Sequence, residues 1–178
     1  HPDHIGANLQ WKEARKDVNI VSGPMIDKIP GASISMKDLQ TMTIGEITIA
    51  CLDTPGHMEE HVSYIVTHVT SESTKIPFLF CGDTLFVGGC GRVFTGKYDV
   101  MLSSLHKLIN LPYETPIYCA HEYTKSNLKF AKFVDPENTA LDAKIQQVDD
   151  LVGQNLYTVG SPIGQEKDYN PFFTCLQP

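Results

Sequence analysis

The stretch ITIACLDTPGH, residues 47–57, decides the fold, because a run of β-branched and apolar residues passes into a short turn that ends in an imidazole. The pattern recurs in IPFLFCGD, residues 76–83, and in TPIYCAH, residues 115–121. Each predicted strand therefore delivers a side chain that can bind a metal just past its carboxyl end. Active sites of layered α/β sheets form at that edge, so we expect these side chains to lie together. They are His57, Asp83 and His121.

The first residues of the sequence, HPDH, add His1, Asp3 and His4 to this set. Mixtures of imidazoles and carboxylates suit zinc and other first-row divalent ions. Taken singly, each residue also has an ordinary explanation, since a histidine after a strand is commonly a hydrogen-bonded boundary residue and an aspartate after glycine is commonly a turn or a helix cap. The metal hypothesis depends on all six side chains converging.

The remaining histidines lack this context. His68 alternates along a predicted strand and His106 lies on a predicted helix face, so both are interpreted as structural. His61, in the run GHMEEH, is interpreted as a structural residue or as a neighbour of the site.

Composition excludes several classes of protein. The chain has 178 residues, of which 42% are apolar and 20% charged, as in an ordinary globular protein with a packed core. The formal net charge of -7 repels polyanions, so binding to nucleic acid or to anionic membranes is not expected. The apolar runs are too short to span a membrane, and the first residues have no signal-peptide pattern.

The five cysteines are odd in number and show no C-x-x-C spacing. They are interpreted as reduced and mostly buried thiols, which predicts a cytoplasmic protein, with the mitochondrial matrix as the alternative. We expect a monomer.

The chain divides into a mostly β region and a mostly helical region. The first, residues 1–122, contains a short helical pattern over IGANLQWKEARK, several strands, a two-residue turn between TMTI and ITIACL, and a helix over YDVMLSSLHKLIN with Asp99 as its cap. The second, residues 123–178, contains two helices separated by Asp135 and Pro136, and then a segment with few periodic cues. An apolar stripe of the second helix is formed by Leu141, Ile145, Val148 and Val152.

Several motifs make a resemblance specific. HPDH, TPGH, FCGDTLF, GGCGR and CAHEYTKSNLKFA occur in the order and approximate spacing of glyoxalase II, the hydroxyacylglutathione hydrolase of the metallo-β-lactamase superfamily, and YNPF, residues 169–172, extends the match. The resemblance implies an α+β fold: a metallo-β-lactamase-type αββα four-layer sandwich, with its N-terminal part absent from this chain, followed by a helical C-terminal domain. In this reading residues 1–122 form the metal-binding domain and residues 123–178 the domain that binds the glutathione thioester.

The resemblance also implies a site with two divalent metal ions, zinc before iron or manganese. His1 and His57 match ligands of the first ion, Asp3, His4 and His121 match ligands of the second, and Asp83 matches a carboxylate that bridges both. The family pattern has a further histidine two residues before His1, and basic residues beyond the C-terminal end, which this sequence does not contain.

The implied reaction is hydrolysis of S-D-lactoylglutathione to D-lactate and glutathione. Two ions that share a water would lower its pKa toward roughly 7, and the resulting hydroxide, held through Asp3 and Asp83, would attack the thioester carbonyl. The leaving thiol, with a pKa of about 8.5, departs without a strong acid. For substrate binding, Arg92 and Tyr123 match residues that hold the glutathione peptide, while Phe94 stands where relatives commonly have tyrosine.

Two alternatives stay open at this point. A persulfide dioxygenase with a single iron shares H-x-D-H and GCGR, but the continuation of His121 into EYTKSNLKFA favours the hydrolase. A non-catalytic or catalytically impaired metal-binding fragment is the alternative from a different class. A β-lactamase is disfavoured because no export signal is visible.

Overall fold

The centre of the structure, a computed structural model that describes residues 1–70, 73–74 and 76–175, is a mixed β-sheet. In chain order the strands are β1 Val21–Ser22, β2 Ile34–Ser35, β3 Thr41–Ile44, β4 Ile47–Asp53, β5 Val62–Thr70, β6 Ser73–Thr74, β7 Phe78–Gly82, β8 Leu85–Phe86, β9 Gly89–Cys90 and β10 Ile117–Cys119. The helices are α1 Pro2–Ile5, α2 Asn8–Ala14, α3 Tyr98–Ile109, α4 Thr124–Val134, α5 Thr139–Gly153, α6 Ile163–Tyr169 and α7 Pro171–Thr174, with a 3-10 turn at Ile26–Lys28.

The topology of the sheet explains why the site forms at one edge. The strand order is β10–β7–β5–β4–β3, with β6 paired to β5. Strand β5 runs antiparallel to both β4 and β7, and β10 runs parallel to β7. The carboxyl ends of β4, β7 and β10 therefore meet at the same edge, as the three sequence stretches predicted.

The two faces of the sheet differ. One face packs against α3 and α7 in a core that includes Leu79, Leu105, Ile117 and Phe173, each nearly or fully inaccessible to solvent. Side chains of the other face are aligned across the strands, with Tyr64 opposite Phe80 and Phe80 opposite Tyr118. Val21 of β1 lies over part of this second face, where it lines a cavity with Tyr64 and Phe80.

The helical region that follows β10 has its own buried cluster. Leu128 and Ala131 of α4 pack against Leu141 and Val148 of α5. The side chain of Asn138 caps α5 by accepting a hydrogen bond from the amide of Leu141. The predicted pair of helices is confirmed: Leu141 and Val148 of the apolar stripe are buried, Ile145 is half-buried, and Val152 at the C-terminal end is exposed.

Some local expectations were wrong or incomplete. Asp99 does not cap α3, because the cap residue is Lys97 and Asp99 lies in the first helical turn, where its charge suits the helix dipole. Helix α2 forms where the pattern predicted it, but Leu9 and Trp11 remain more than half exposed. The segment with few periodic cues contains α6 and α7, and residues 176–178 of the predicted helical domain lie outside the described residues.

All five cysteines carry free thiols. Cys51 and Cys81 are buried, Cys90 and Cys119 are half-buried, and Cys175 is exposed. Among the residues that the structure describes, no helix combines the length and apolar character needed to cross a lipid bilayer.

Candidate metal centre

All six side chains that the sequence singled out converge at the common strand edge. They form two groups, in each of which one potential ligand atom per residue lies within 4.8 Å of the others. We call these the inner group, His1, His57 and Asp83, and the outer group, Asp3, His4 and His121. The structure thus brings the predicted residues together, and their roles as ligands stay a prediction.

The inner group is centred on a fixed imidazole. His57 Nδ1 lies 2.8 Å from the carbonyl oxygen of Arg92, which can only accept, so Nδ1 carries a proton and donates. In the neutral ring Nε2 is then unprotonated, and it faces His1 Nδ1 at 3.0 Å and Asp83 Oδ2 at 3.2 Å. His57 and Asp83 are both buried. A second hydrogen bond that selects the ring tautomer is the usual arrangement of a metal-binding histidine.

The outer group is more open to solvent. Asp3 and His4 lie in the short helix α1, and His121 lies two residues past the end of β10. His121 Nε2 lies 3.4 Å from Asp3 Oδ2, and His4 Nε2 lies 3.6 Å from the same oxygen. The Asp3 side chain is 55% exposed, so this group lines the mouth of the site.

Asp83 contacts both groups. Its Oδ2 lies 3.0 Å from His4 Nε2 and 3.2 Å from His57 Nε2, and its Oδ1 lies 3.4 Å from His121 Nε2. Oδ1 is buried and, among the described residues, accepts no hydrogen bond. A buried carboxylate oxygen left without a donor is costly, and a cation held between the two groups would satisfy it. The donor set therefore fits a divalent ion.

His61 binds the backbone amide of Asp83 and so helps to fix the position of its carboxylate. The backbone amide of Asp83 donates to His61 Nε2 over 3.0 Å, while His61 Nδ1 lies 2.9 Å from the Thr84 hydroxyl and 3.1 Å from the Thr54 hydroxyl. Burial lowers the pKa of His61 to about 4, with a further lowering by His57, so the ring is neutral. Gly82 has φ of +50°, and a Cβ there would lie 2.6 Å from His61 Nε2. The histidine that the sequence left undecided is thus a half-buried hydrogen-bonding partner of the site.

The residues predicted to bind substrate lie at the rim. Phe94 places its ring edge against His1 and His57, each at a centroid distance of 5.1 Å, and the Arg92 guanidinium lies 5.2 Å from the Phe94 ring centroid. On the opposite side Tyr123 stacks on His121 at 4.9 Å. All three side chains are exposed. A cavity of about 360 Å³ is lined by four histidines and Asp83 together with apolar side chains such as Ile5, Ile20 and Phe80, and the three rim residues do not line it.

The sequence analysis did not predict the β8–β9 hairpin, which lies between Asp83 and Arg92, the two residues that contact the His57 ring. Strands β8 and β9 pair with each other, and the Gly91 amide donates to the Thr84 carbonyl at their base. A Cβ at Gly91 would lie 1.8 Å from the Asp83 carbonyl oxygen, so only glycine fits there. Glycines on both sides of Cys90 were the available signal, although strands of two residues have no readable period.

Family comparisons cover the whole chain. The model of the "Metallo-beta-lactamase superfamily" matches residues 1–121, and that of the "Hydroxyacylglutathione hydrolase C-terminus" matches residues 122–178. Two solved structures share the fold: a metallo-beta-lactamase from Staphylococcus aureus, with a TM-score of 0.61 and 22% identity over 93% of this chain and 44% of that one, and ETHE1 from Myxococcus xanthus, with a TM-score of 0.64 and 24% identity over 96% and 58%.

Curated relatives named hydroxyacylglutathione hydrolase are more similar in sequence. The protein from Rippkaea orientalis is 42% identical over 97% of this chain and 66% of its own length, and that from Nitrosomonas eutropha is 42% identical over 89% and 59%. The relative from Synechococcus sp. strain JA-3-3Ab is 44% identical over 100% of this chain and 68% of its own length. The chain thus spans about two thirds of the length of these relatives. It belongs to the hydroxyacylglutathione hydrolase family of the metallo-β-lactamase superfamily.

Proposed function

We propose that the protein is a metal-dependent thioester hydrolase that cleaves S-D-lactoylglutathione to D-lactate and glutathione. The observation that carries the proposal is the position of the Asp83 carboxylate, buried between the inner and outer groups with one oxygen lacking a donor. The names of the curated relatives support the same reaction.

The donor set suits two divalent ions, one for each group, with Asp83 shared between them. Imidazole and carboxylate ligands favour zinc, and iron or manganese are also compatible with them. Bound ions supply Lewis acidity, which polarises the thioester carbonyl and lowers the pKa of water enough for attack at neutral pH. The orientation of the metal ligands and the recognition of the substrate depend on the residues of this chain.

The residues prepare the site in distinct ways. The Arg92 carbonyl keeps the proton of His57 on Nδ1 and so leaves Nε2 free toward the centre. The hydrogen bond from the Asp83 backbone amide to His61 fixes the position of this residue. The buried Asp83 carboxylate then supplies the negative charge that balances the charge of bound cations. Asp3, at the exposed mouth, presents a carboxylate that can accept a hydrogen bond from the attacking water. The departing thiolate needs no dedicated acid, because its pKa is about 8.5.

Substrate recognition is assigned to the rim. Glutathione is anionic and the chain has a net charge of -7, so local positive charge is required. The exposed Arg92 guanidinium supplies it beside the inner group, and the Tyr123 hydroxyl offers a hydrogen bond beside the outer group. Phe94 offers an apolar edge without the hydroxyl that tyrosine would bring.

The alternatives are less well supported. The match of residues 122–178 to the hydroxyacylglutathione hydrolase C-terminus favours the hydrolase over a persulfide dioxygenase with one iron. We also propose a cytoplasmic location, with the mitochondrial matrix as the alternative, in keeping with the free thiols. The monomeric state and the division of the chain at residue 122 belong to the same proposal.

The test measures metal content and hydrolysis on one preparation. The chain is stripped with a chelator, reloaded with zinc, iron or manganese, and assayed with S-D-lactoylglutathione and with a thioester that lacks the peptide. We expect about two ions per chain and activity that returns with metal and prefers the glutathione substrate. Metal binding without thioester hydrolysis would favour the impaired fragment, and sulfur dioxygenation with one iron would favour the dioxygenase.

A matched histidine control separates the site from general damage. His106 is exposed on α3 and belongs to neither the inner nor the outer group. His106→Gln should retain metal content and hydrolysis, whereas His57→Gln should lose both.

A further inference from the structure

A fully buried carboxylate in the helical region contacts the hairpin of the metal centre. Glu166 of α6 is inaccessible to solvent, and its Oε2 accepts a hydrogen bond of 2.8 Å from the Gly88 amide, between β8 and β9. Burying a carboxylate costs several kcal/mol unless donors surround it, and an apolar side chain would fill the same space. The contact with Gly88 therefore points to a role beyond filling the core.

Asn170 extends the anchor along the hairpin. Its amide group donates to Glu166 Oε2 over 2.9 Å. The same group donates to the carbonyl oxygens of Phe86 and Gly89, at 3.2 and 3.1 Å. Asn170 is itself fully buried. Both strands of the hairpin are thus tied to the junction of α6 and α7.

A network on the other side holds the carboxylate in place. The Tyr169 hydroxyl donates to Glu166 Oε1 and lies 2.7 Å from the Ser161 hydroxyl. Ser161 in turn lies 3.4 Å from Nζ of Lys144, a mostly buried residue of α5. The position of Glu166 is therefore set by α5 and by the segment that precedes α6, as well as by its own helix.

The opposite end of the hairpin holds His57. Asp83 precedes β8 and Arg92 follows β9, and the Gly91 amide closes the base on the Thr84 carbonyl over 3.2 Å. The His57 imidazole lies between these two ends, with Nδ1 donating to the Arg92 carbonyl and Nε2 facing Asp83 Oδ2. Any change in the separation of the two strands would alter both contacts of the ring.

We propose that Glu166 is a positioning residue of the metal centre, which holds the β8–β9 hairpin so that the His57 ring keeps its Nδ1–H tautomer and its orientation. The inference rests on the proposed function only where it treats His57 as a metal ligand. In this arrangement the helical region supports the inner group from behind, in addition to any part it takes in binding substrate.

The test reads the His57 ring in the metal-free chain by NMR of ¹⁵N-labelled histidine. The wild type and Glu166→Gln, whose amide can accept from Gly88 and donate to Tyr169, should show one Nδ1–H tautomer with a slowly exchanging proton. Glu166→Leu should show a mixture of tautomers and exchange that is about tenfold faster or more. Zinc affinity, measured by competition with a chromophoric chelator, should fall about 10–100-fold in Glu166→Leu and little in Glu166→Gln.

Loss of stability alone is controlled by Met36→Ala, which empties a buried position whose carbonyl oxygen contacts the Cys51 thiol of β4 and which belongs to neither the core under the sheet nor the α4–α5 cluster. It should keep the tautomer and the zinc affinity. If Glu166→Leu does not fold, Glu166→Asp withdraws the carboxylate from Gly88 and should reproduce the mixture of tautomers. A folded Glu166→Leu or Glu166→Asp with the wild-type ring signal would overturn the inference. A wild type with the ordered ring that binds no metal would instead overturn the proposed function.

Discussion

The inner and outer groups use the same residue types but are built differently. His57 and Asp83 of the inner group are buried, and both are fixed by backbone hydrogen bonds, from His57 to the Arg92 carbonyl and from the Asp83 amide to His61. Asp3 and His4 of the outer group lie on a four-residue helix with no buried residue. Two of the three inner side chains are therefore pre-organised, with the exposed His1 as the exception, whereas the outer group must lose more side-chain freedom when it binds a ligand.

Asp83→Ala is expected to have the largest effect, because this residue contacts both groups. The variant should lose both metal ions, and kcat/KM should fall about 10³-fold, as when a group acting at the reacting centre is removed. Metal per chain and hydrolysis are measured on the same sample. Retention of two tightly bound ions would show that the two groups do not share this carboxylate.

Comparing His57→Ala with His4→Ala tests whether pre-organisation distinguishes the groups. His57→Ala should weaken zinc binding by about 10²-fold. Ordering a mobile side chain costs about 1 kcal/mol, so the more exposed His4 contributes less to binding. The loss of zinc affinity in His4→Ala should therefore be about fivefold smaller than the loss in His57→Ala. Chelator competition gives both constants. Equal losses would mean that burial and the Arg92 carbonyl do not matter for binding.

Arg92 separates backbone from side chain within a single residue, because its carbonyl serves the inner group while its guanidinium lies at the rim. Arg92→Ala should raise KM for the glutathione thioester by up to about fivefold, with a smaller change in kcat, since an exposed charge pair is worth at most about 1 kcal/mol. Arg92→Lys should be milder. An equal loss on a thioester without the peptide would exclude the side chain from substrate binding.

The smallest expected effect is a pH dependence of the free energy of unfolding, caused by the buried carboxyl group of Glu166. Burial raises the pKa of Glu166 above its ordinary value near 4.5, against the hydrogen bonds that lower it. Lys144, Tyr169, Cys81 and Cys119 are the titratable groups that interact with it. A raised folded-state pKa contributes stability that is complete below the unfolded value and is lost as pH rises through the folded value.

Urea unfolding of the wild type and Glu166→Gln at about pH 5 and about pH 8 checks this sign. The wild type should lose stability relative to Glu166→Gln as the pH rises. An unchanged difference between the two proteins would mean that Glu166 has the same pKa in the folded and unfolded chains.

Periodic patterns predicted the parts of the fold that rest on local sequence. The strands β4, β7 and β10 are rich in β-branched and aromatic residues, and α3, α4 and α5 repeat apolar residues at helical spacing. Because those strands share a direction, the convergence of His57, Asp83 and His121 followed from the positions of strand ends alone. This part of the site could be read without any tertiary contact.

The hairpin β8–β9 and the helices α6 and α7 could not be read in the same way. Each strand of the hairpin has two residues, and α7 has four, so neither shows a period. The conformation of the hairpin depends on its tertiary hydrogen bonds with Glu166 and Asn170, which lie about eighty residues further along the chain. Sequence patterns do not encode such pairs, so the support of His57 had to be seen in the structure.

The burial of the thiols sorts them by reactivity. Burial raises the pKa of Cys51 to about 11 and that of Cys90 to about 12, and it raises the pKa of Cys81 and Cys119 as well. Thiolates are the reactive form, so these four stay protonated at neutral pH and react slowly with electrophiles. Cys175, exposed at the end of α7, is then the thiol that a maleimide dye would label first. A fluorophore attached there would sit next to the helix junction that holds the hairpin.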